Sequence, residues 1–334
     1  MIDTFTGSLD EKWFYLISVA VEARGGAIVP LMLRAIEAAN QNDRAAVTAC
    51  LRSFAERLDE LGSTLSRMYE NCDPHVFYNR LRPFLAGSKN MADAGLPNGV
   101  IFDNGGSINK QRYVKLSGGS NAQSSIIQFF DIVLGVQHRQ TGVTKDVNAN
   151  SEEKTGPKPA DNFIYEMRKY MPGPHARFLE QVSHVSNIRS FVQANSHDRA
   201  LSIAFDACLA MLSAFRDTHI QIVSRYIIIK SREAKKEESL KPGNEKKPNK
   251  VNLAHRTKTA GSNEKKNLKG TGGTSLIPFL RQARDETGEQ AIDIWTRNLL
   301  NKKRGAALEK PSESTVKQGL AGVWQVDNGG LCYW

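Results

Sequence analysis

Long apolar runs are missing from this sequence of 334 residues. Uninterrupted apolar stretches such as residues 227–229 fall far short of the roughly 20 residues that a helix needs to cross a bilayer. The N-terminus reads MIDTFTGSLDEKW, which is acidic and polar and unlike a signal or transit peptide. We therefore expect a cytoplasmic protein with no membrane partner.

Cysteine is scarce and scattered, at Cys50, Cys72, Cys208 and Cys332. No pair has the CxxC spacing of a zinc ribbon, no CxxCH is present for covalent haem attachment, and no HExxH is present for catalytic zinc. These motif classes are therefore excluded. Reduced thiols are expected, since disulfides are rare in the cytoplasm.

Charge is unevenly distributed along the chain. The formal net charge is +10, but residues 231–269 hold twelve Lys and Arg against five Asp and Glu, a surplus of seven. This segment has almost no large apolar residues, and it lacks the interleaved aromatic residues of a single-strand binding surface. It predicts a mobile, solvated basic loop, and we expect no nucleic-acid partner.

Helical periodicity dominates what is present. Residues 198–230 contain no glycine or proline, and apolar residues recur there, as in residues 43–69, every three or four positions. Residues 8–39 predict a helix that breaks near Gly25 and Pro30. A short helix at 75–81 is expected to end at Arg82, because proline disfavours helical geometry in the residue before it. Further helices are predicted at 126–138, 160–170, 175–194 and 275–303, with one extended pair at 100–102 and 113–116. The predicted fold is all-α.

Arg216 and His219 lie on the apolar face of the 198–230 helix, beside Leu212, Phe215 and Ile222. A cation and an imidazole in apolar surroundings each need a partner, because burial of an unpaired charge is costly. The imidazole could bind iron, and the guanidinium could bind a carboxylate such as a haem propionate. The alternative is a core histidine satisfied by a backbone carbonyl, with Arg216 paired to a nearby acid.

Three further segments break the local rules of helix formation. SGGSNAQSS precedes an apolar helix, GTGGT follows the basic loop, and FYNRLRP places Phe77 and Tyr78 close to Arg82. GTGGT has no lysine and follows no strand, so it is not a Walker loop, although its backbone suits a small anionic group. Each segment also has a structural explanation: a helix N-cap with a flexible approach, or core aromatics beside a surface arginine.

Taken as a set, these segments resemble the indoleamine 2,3-dioxygenase family, in that family's order and over roughly residues 8–285. The blocks that carry the resemblance are FYNRLRPFLAGSKN, GGSNAQSSIIQFFDIVLGVQ, YMPGPHARFLEQV, AFRDTHIQIVSRYIIIKSRE and GTGGTSLIPFLRQAR. The resemblance implies a large helical haem-binding domain, formed by residues 1–230 and 270–306 around the basic loop. GTGGT would be a lid before the closing helix, and the tail at 307–334 has no predicted role.

On the cofactor side, the resemblance implies that His219 is the proximal iron ligand of a non-covalently bound b-type haem. Arg216 would bind a haem propionate, and Asp131 would belong to the same polar network.

On the distal side, it implies that Phe14 and Ser18 line the pocket above the iron. Gly119 and Ser120 would form the wall beside dioxygen and substrate. Asn121 stands where the family often has a small apolar residue.

For the substrate, the resemblance implies that Phe77 packs on an indole ring while Arg82 binds its carboxylate. Thr271 would complete recognition of the amino-acid head group. Ser18, Phe77 and Ser120 are thus the expected residues around the reacting atoms.

The reaction implied is insertion of both atoms of dioxygen across the C2–C3 bond of L-tryptophan, which gives N-formylkynurenine. This is the first step of the kynurenine pathway, which supplies NAD biosynthesis, and a monomer is expected. Two alternatives are a dioxygenase for another indole and a catalytically impaired haem-binding relative with a regulatory role. The resemblance also implies that most of the family's smaller N-terminal domain, which covers the distal side, is lacking.

Overall fold

The computed structural model describes residues 3–92, 95–103, 105, 111–143, 162–239, 270–271, 275–302, 317–319 and 322–324. Within these ranges the structure is helical, apart from two short strand pairs, as the periodicity predicted. The α-helices are α1 (Leu9–Gly26), α2 (Ile28–Asn40), α3 (Arg44–Ser66), α4 (Met68–Asn71), α5 (Pro74–Val76), α6 (Ser125–Val133), α7 (Phe163–Met167), α8 (Gly173–Val185), α9 (Ile188–Ala194), α10 (Arg199–Val223), α11 (Lys230–Ser239), α12 (Leu276–Gly288) and α13 (Ile294–Lys302). Two π-helices (Phe77–Leu81 and Ser224–Ile229) and four 3-10 helices (Arg82–Leu85, Ser88–Asn90, Asn121–Gln123 and Arg168–Tyr170) complete the helical part.

The strands are two or three residues long. β1 (Val100–Ile101) pairs antiparallel with β2 (Tyr113–Val114), within the extended pair that the sequence predicted. β3 (Lys317–Gly319) pairs antiparallel with β4 (Gly322–Trp324) in the C-terminal tail.

Side-chain caps fix where the long helices begin. Ser8 accepts a hydrogen bond from the Glu11 amide at the start of α1, and Asp198 accepts one from the Leu201 amide at the start of α10. Both satisfy a backbone donor that has no partner inside its helix. The predicted break in the first helix occurs at Ala27, between α1 and α2.

The core forms mainly between α3 and α10, which have the most extensive contact of any two helices in the described structure. The buried stripe of α3 is the one that its periodicity predicted: Val47, Leu51, Phe54, Leu58, Leu61 and Leu65. On α10, Leu201, Phe205, Leu209 and Leu212 are fully buried. This packing holds α10, and with it His219, in a fixed position under α3.

Several predicted helices are broken in the structure. The helix predicted at 126–138 ends at Val133, because Gly135 adopts a positive φ of 67°, so His138 lies in the following loop. The helix predicted at 175–194 is divided into α8 and α9, and the one at 275–303 into α12 and α13. The turn between α8 and α9 contains no glycine or proline, and Gly288, which ends α12, was not recognised as a break in the periodicity.

The π-helix ends at Leu81, where the predicted short helix ends, but the expectation that Pro83 would move Arg82 out of helical geometry was wrong. Arg82 has helical backbone angles (φ −54°, ψ −35°) and begins the 3-10 helix that contains Pro83. The start of the predicted basic loop was also wrong, since α11 extends through Ser239. Residues 240–269 of that loop and 272–274 of GTGGT lie outside the described residues, as does most of the tail.

The Leu9–Asn40 stretch has the length and mean hydropathy (1.6) of a membrane-spanning helix, which the search for apolar runs did not identify. Helices in the core of globular proteins meet the same criteria. Here the stretch bends at Ala27, and Ile28, Met32 and Ala35 are completely buried. We therefore assign α2 to the core, to which α1 contributes Ile17 and Val21.

Candidate functional site

Two adjoining cavities lie between α1, α3, α10 and α12. The smaller has about 970 Å³ of unfilled space and the larger about 1400 Å³, part of it open to solvent. They share a wall that contains Ser18, Leu65, Asn121, Ala122, His219, Phe279 and Leu280. Most of this wall is apolar, so a flat apolar ligand could contact it on both sides of the boundary.

His219 projects from α10 at this boundary. Burial and the nearby Arg216 charge lower the pKa of His219 to about 4, so its imidazole is neutral at physiological pH. Within the described residues, neither ring nitrogen has a hydrogen-bond partner, which differs from the alternative of a core histidine satisfied by a backbone carbonyl. A neutral imidazole that faces a cavity is suited to metal ligation.

Arg216 lies one turn before His219 and lines the smaller cavity. One of its terminal nitrogens donates to both oxygens of Asp131, at 2.7 and 2.8 Å, and the other bonds Thr287 and the carbonyl of Ala283. Burial alone would raise the pKa of Asp131, but the Arg216 and His138 charges outweigh it and lower the pKa. The guanidinium is therefore held rigidly at the cavity wall by an ionised partner.

Phe77 faces the larger cavity from the first π-helix. Its ring centroid lies 5.1 Å from that of Phe14 on α1 and 5.7 Å from that of Tyr226 on the second π-helix. The Tyr226 hydroxyl donates to the carbonyl oxygens of Cys72 (2.6 Å) and Met68 (3.2 Å). The three rings form an aromatic wall whose position is anchored from behind.

Arg82 lines the larger cavity and is only 6% exposed. Its guanidinium carbon lies 5.7 Å from the centroid of the Tyr78 ring. Burial lowers its pKa, although an arginine stays charged in any such environment. A guanidinium in a largely apolar cavity is a specific binding group for a carboxylate, because it can donate two parallel hydrogen bonds to the two carboxylate oxygens.

Gly119 and Ser120 line the larger cavity, and the loop at Gly118–Ser120 is held by close backbone contacts. A Cβ on Gly118 would overlap the Leu85 carbonyl, and one on Gly87 would overlap the Gly118 amide, so both positions require glycine. The Gly119 amide donates to Leu85 O at 3.0 Å. The Thr271 hydroxyl donates to Gly119 O at 2.6 Å, and the Gly118 amide donates to Thr271 O at 3.2 Å. Thr271 is thus fastened to the cavity wall.

Comparison with known proteins agrees with this arrangement. A sequence model of the family described as "IDO: Indoleamine 2,3-dioxygenase" matches residues 1–290. The chain belongs to the indoleamine 2,3-dioxygenase family.

Among its relatives, an indoleamine 2,3-dioxygenase of Saccharomyces cerevisiae is 43% identical over 86% of this chain and 60% of its own length. A Fusarium equiseti relative named 6-hydroxytryptophan 2,3-dioxygenase is 38% identical, over 86% of this chain and 62% of its own length. Human indoleamine 2,3-dioxygenase 2 is 28% identical, over 87% of this chain and 61% of its own length. The chain thus spans about three fifths of the length of these relatives.

The structure brings all ten predicted site residues to the two cavities. The larger is lined by Phe14, Ser18, Phe77, Arg82, Gly119, Ser120, His219 and Thr271, and the smaller by Ser18, Asp131, Arg216 and His219. Their individual roles in the family reaction stay predictions.

Sequence reasoning missed two features of the site. Tyr226 carries no motif of its own, and its T-shaped contact with Phe77 has no signature in residue spacing. His138 bonds to both Asp131 and Glu286, although 148 residues separate His138 from Glu286. A contact over such a distance in the chain requires the folded structure.

The residues at the cavity boundary fit the haem that the family uses. His219 offers a neutral nitrogen, Leu65 and Phe279 offer apolar surface, and Arg216 offers a cation at one edge. These are the elements that hold a haem: an axial imidazole, an apolar slot and a cationic partner for a propionate. His219 would ligate the iron, and Arg216 would bind the propionate.

Proposed function

We propose that this protein is a haem-dependent dioxygenase that inserts dioxygen across the indole C2–C3 bond of L-tryptophan, giving N-formylkynurenine. The observation that carries the proposal is the position of His219, at the boundary of a cavity lined by Arg216 and a second cavity lined by Arg82. One cationic wall suits the cofactor's carboxylates, and the other suits the carboxylate of an amino acid.

In this proposal the protein's own residues bind and orient the substrate. Arg82 binds the carboxylate as a fork, while Phe77, packed between Phe14 and Tyr226, supports the indole ring. The loop at Gly118–Ser120, with Thr271 fastened to it, closes the side of the cavity and limits access of water. Orientation of this kind lowers the barrier because the reacting atoms are already aligned.

The haem, when bound, supplies the iron chemistry that activates dioxygen. The protein therefore has no need for a nucleophile or an acid–base pair at the indole. Ser18 is consistent with the absence of such a group. Its hydroxyl donates to Phe14 O at 3.1 Å within α1 and so already has an acceptor.

A second candidate is a dioxygenase for a substituted indole. Asn121 lines both cavities with a polar side chain, and the Fusarium equiseti relative is named for 6-hydroxytryptophan. An amide at this wall could donate to or accept from a ring hydroxyl. Tryptophan and 6-hydroxytryptophan should therefore be compared as substrates.

The test is a turnover assay with L-tryptophan, ascorbate and methylene blue, read as absorbance of N-formylkynurenine. We expect product from the wild type and, in His219→Ala, loss of both activity and the Soret band of bound haem. His197→Ala, at an exposed histidine outside the cavities, is the control and should behave as wild type. A wild type that binds haem but oxidises neither indole would favour the regulatory alternative. A His219→Ala variant with an unchanged haem spectrum would refute the ligand assignment.

The kynurenine pathway and NAD biosynthesis follow as the proposed context of this reaction. We further propose that the protein is a monomer and that it is cytoplasmic.

A further inference from the structure

His138 occupies an unusual position behind the smaller cavity, on the loop after α6. Its Nε2 lies 3.1 Å from Asp131 Oδ2, and its Nδ1 lies 2.7 Å from Glu286 Oε2 on α12. The side chains of His138 and Asp131 are each 6% exposed, and that of Glu286 is 1% exposed. An imidazole with a carboxylate at each nitrogen donates at both, which only the protonated ring can do.

Every element around His138 contributes polar or charged groups, and these fall into two sets. On the cavity side are Asp131 from α6 and Arg216 from α10, with Arg168 beyond them bonded to Gln128. On the opposite side are Gln282 and Glu286 from α12, Glu289 directly after α12, and Arg139 from the loop that carries His138. Asn162 donates to the carbonyl oxygen of His138.

The charges in direct contact balance only when His138 is protonated. Three acids (Asp131, Glu286 and Glu289) face two arginines (Arg139 and Arg216), which leaves one negative charge without a partner. The imidazolium supplies the missing positive charge. Burial alone would lower the pKa of His138, but the two carboxylates outweigh burial and raise it.

Arg216 faces the cavity through this network. A guanidinium paired with one carboxylate is a neutral unit and attracts a further anion weakly. With His138 neutral, the network behind Arg216 carries one net negative charge, which opposes binding of an anion in the cavity. With His138 protonated, the network is neutral and this opposition is removed.

We propose that His138 is a positioning residue for the cofactor: as an imidazolium it holds Asp131 and keeps the charge of Arg216 available to the carboxylates of haem. This inference rests on the proposed haem site. It adds a residue that contacts neither haem nor substrate and acts only through Asp131.

Haem affinity should depend on pH through the protonation state of His138. A histidine whose pKa is raised in the folded protein keeps its proton at and below its ordinary pKa of 6.5 and loses it as the pH rises through the raised value. The contribution of His138 to haem affinity should therefore be fully present at and below pH 6.5 and should be lost as the pH rises through its raised pKa.

The experiment is titration of the full-length apoprotein with hemin from about pH 6 to about pH 9, read as Soret absorbance. In His138→Gln we expect affinity at the acidic end to weaken roughly tenfold and the alkaline fall to disappear. His197→Gln makes the same chemical change at an exposed histidine and should leave the affinity and its pH profile unchanged.

Glu286→Gln is the second variant, and it keeps the test decisive if His138→Gln does not fold by circular dichroism. It removes one of the carboxylates that raise the pKa of His138, so the fall in haem affinity should begin at a lower pH than in the wild type. A merely structural role for the network would not shift this transition.

Hemin binding by the wild type tests the proposed haem function, and the comparison with the variants tests the role of His138. If the wild type takes up no hemin, the haem function fails and this inference fails with it. If the wild type binds hemin, and the variants show the wild-type affinity and pH profile, the role of His138 alone is refuted.

Discussion

At the scale of single residues, the site uses two arginines in different ways. Arg216 makes two hydrogen bonds to Asp131 and is fixed before any ligand arrives. Arg82 lies over the Tyr78 ring in the wall of the larger cavity. Arg216 faces the cavity proposed for the cofactor, and Arg82 faces the cavity proposed for the substrate.

Replacement of Arg82 should therefore affect the substrate and spare the haem. A charge-assisted hydrogen-bonded pair contributes about 1.5–3 kcal/mol, so Arg82→Ala should weaken tryptophan binding by roughly 10- to 100-fold. Arg82→Lys should recover only part of this loss, because an ammonium cannot bind a carboxylate as a fork. The measurement is the shift of the Soret band on titration with tryptophan.

The matched control is Arg80→Ala, which removes an exposed arginine from the adjacent π-helix. It should leave tryptophan binding unchanged. Equal binding by Arg82→Ala and the wild type would contradict the assignment of Arg82 to the carboxylate.

At the scale of elements, both π-helices lie at the larger cavity. A π-helix inserts an extra residue into a helical turn and often occurs at functional sites, because it re-aims the side chains around it. Here the first carries Phe77 and the second carries Tyr226, and their rings meet edge to face. Regular α-helices over the same residues would aim these side chains differently.

The close approach of α1 to α6 depends on the absence of a side chain at Gly25. A Cβ at Gly25 would lie 2.7 Å from Cγ2 of Ile126, whereas one at Gly62 in α3 would meet nothing within 4 Å. Gly62→Ala should raise the free energy of unfolding by about 0.5–1 kcal/mol, because alanine favours a helix over glycine. Gly25→Ala should lower it by about 1–3 kcal/mol through overpacking.

Urea unfolding of both variants measures these effects. Gly25→Ala should also weaken tryptophan binding, since α1 carries Phe14 and Ser18. Stabilisation by both alanines would show that α1 and α6 can move apart without cost.

At the scale of the whole molecule, the buried charge network joins α6, α10 and α12, which are remote in the chain. Asp131, Arg216 and Glu286 are each at most 9% exposed. Removing one member of such a network leaves the others buried with an incomplete set of partners. The network therefore couples assembly of the charged wall of the smaller cavity to the packing of α12 on the core.

Glu286→Gln tests this coupling through apoprotein stability. Burial would raise the pKa of Glu286, but its bonds to His138 and Gln282 lower it below the ordinary 4.5. A carboxylate whose pKa is lowered stabilises the fold above its ordinary pKa, and that contribution is lost as the pH falls through the lowered value. The variant should lose about 2–4 kcal/mol at neutral pH, and the difference should shrink below pH 4.5.

Thermal unfolding at a series of pH values measures this effect. Glu70→Gln is the control, since Glu70 forms an exposed pair with Arg67 and should matter little at any pH. A difference between Glu286→Gln and the wild type that is independent of pH would contradict the electrostatic explanation.

The sequence by itself determined the long elements and the residue types at the site. Periodicity located α3 and α10, because a buried face repeats every three or four residues, and the motif blocks identified all ten residues that line the cavities. These features are local in the chain, so each can be recognised without its neighbours in space.

Only the tertiary structure decided what those residues contact. It moved His138 out of the predicted helix and set it between Asp131 and Glu286, and it placed Tyr226 behind Phe77. The physical reason is that burial and charge act through space. The pKa of a carboxylate or an imidazole depends on groups far away in the chain, which only folding brings within hydrogen-bond distance.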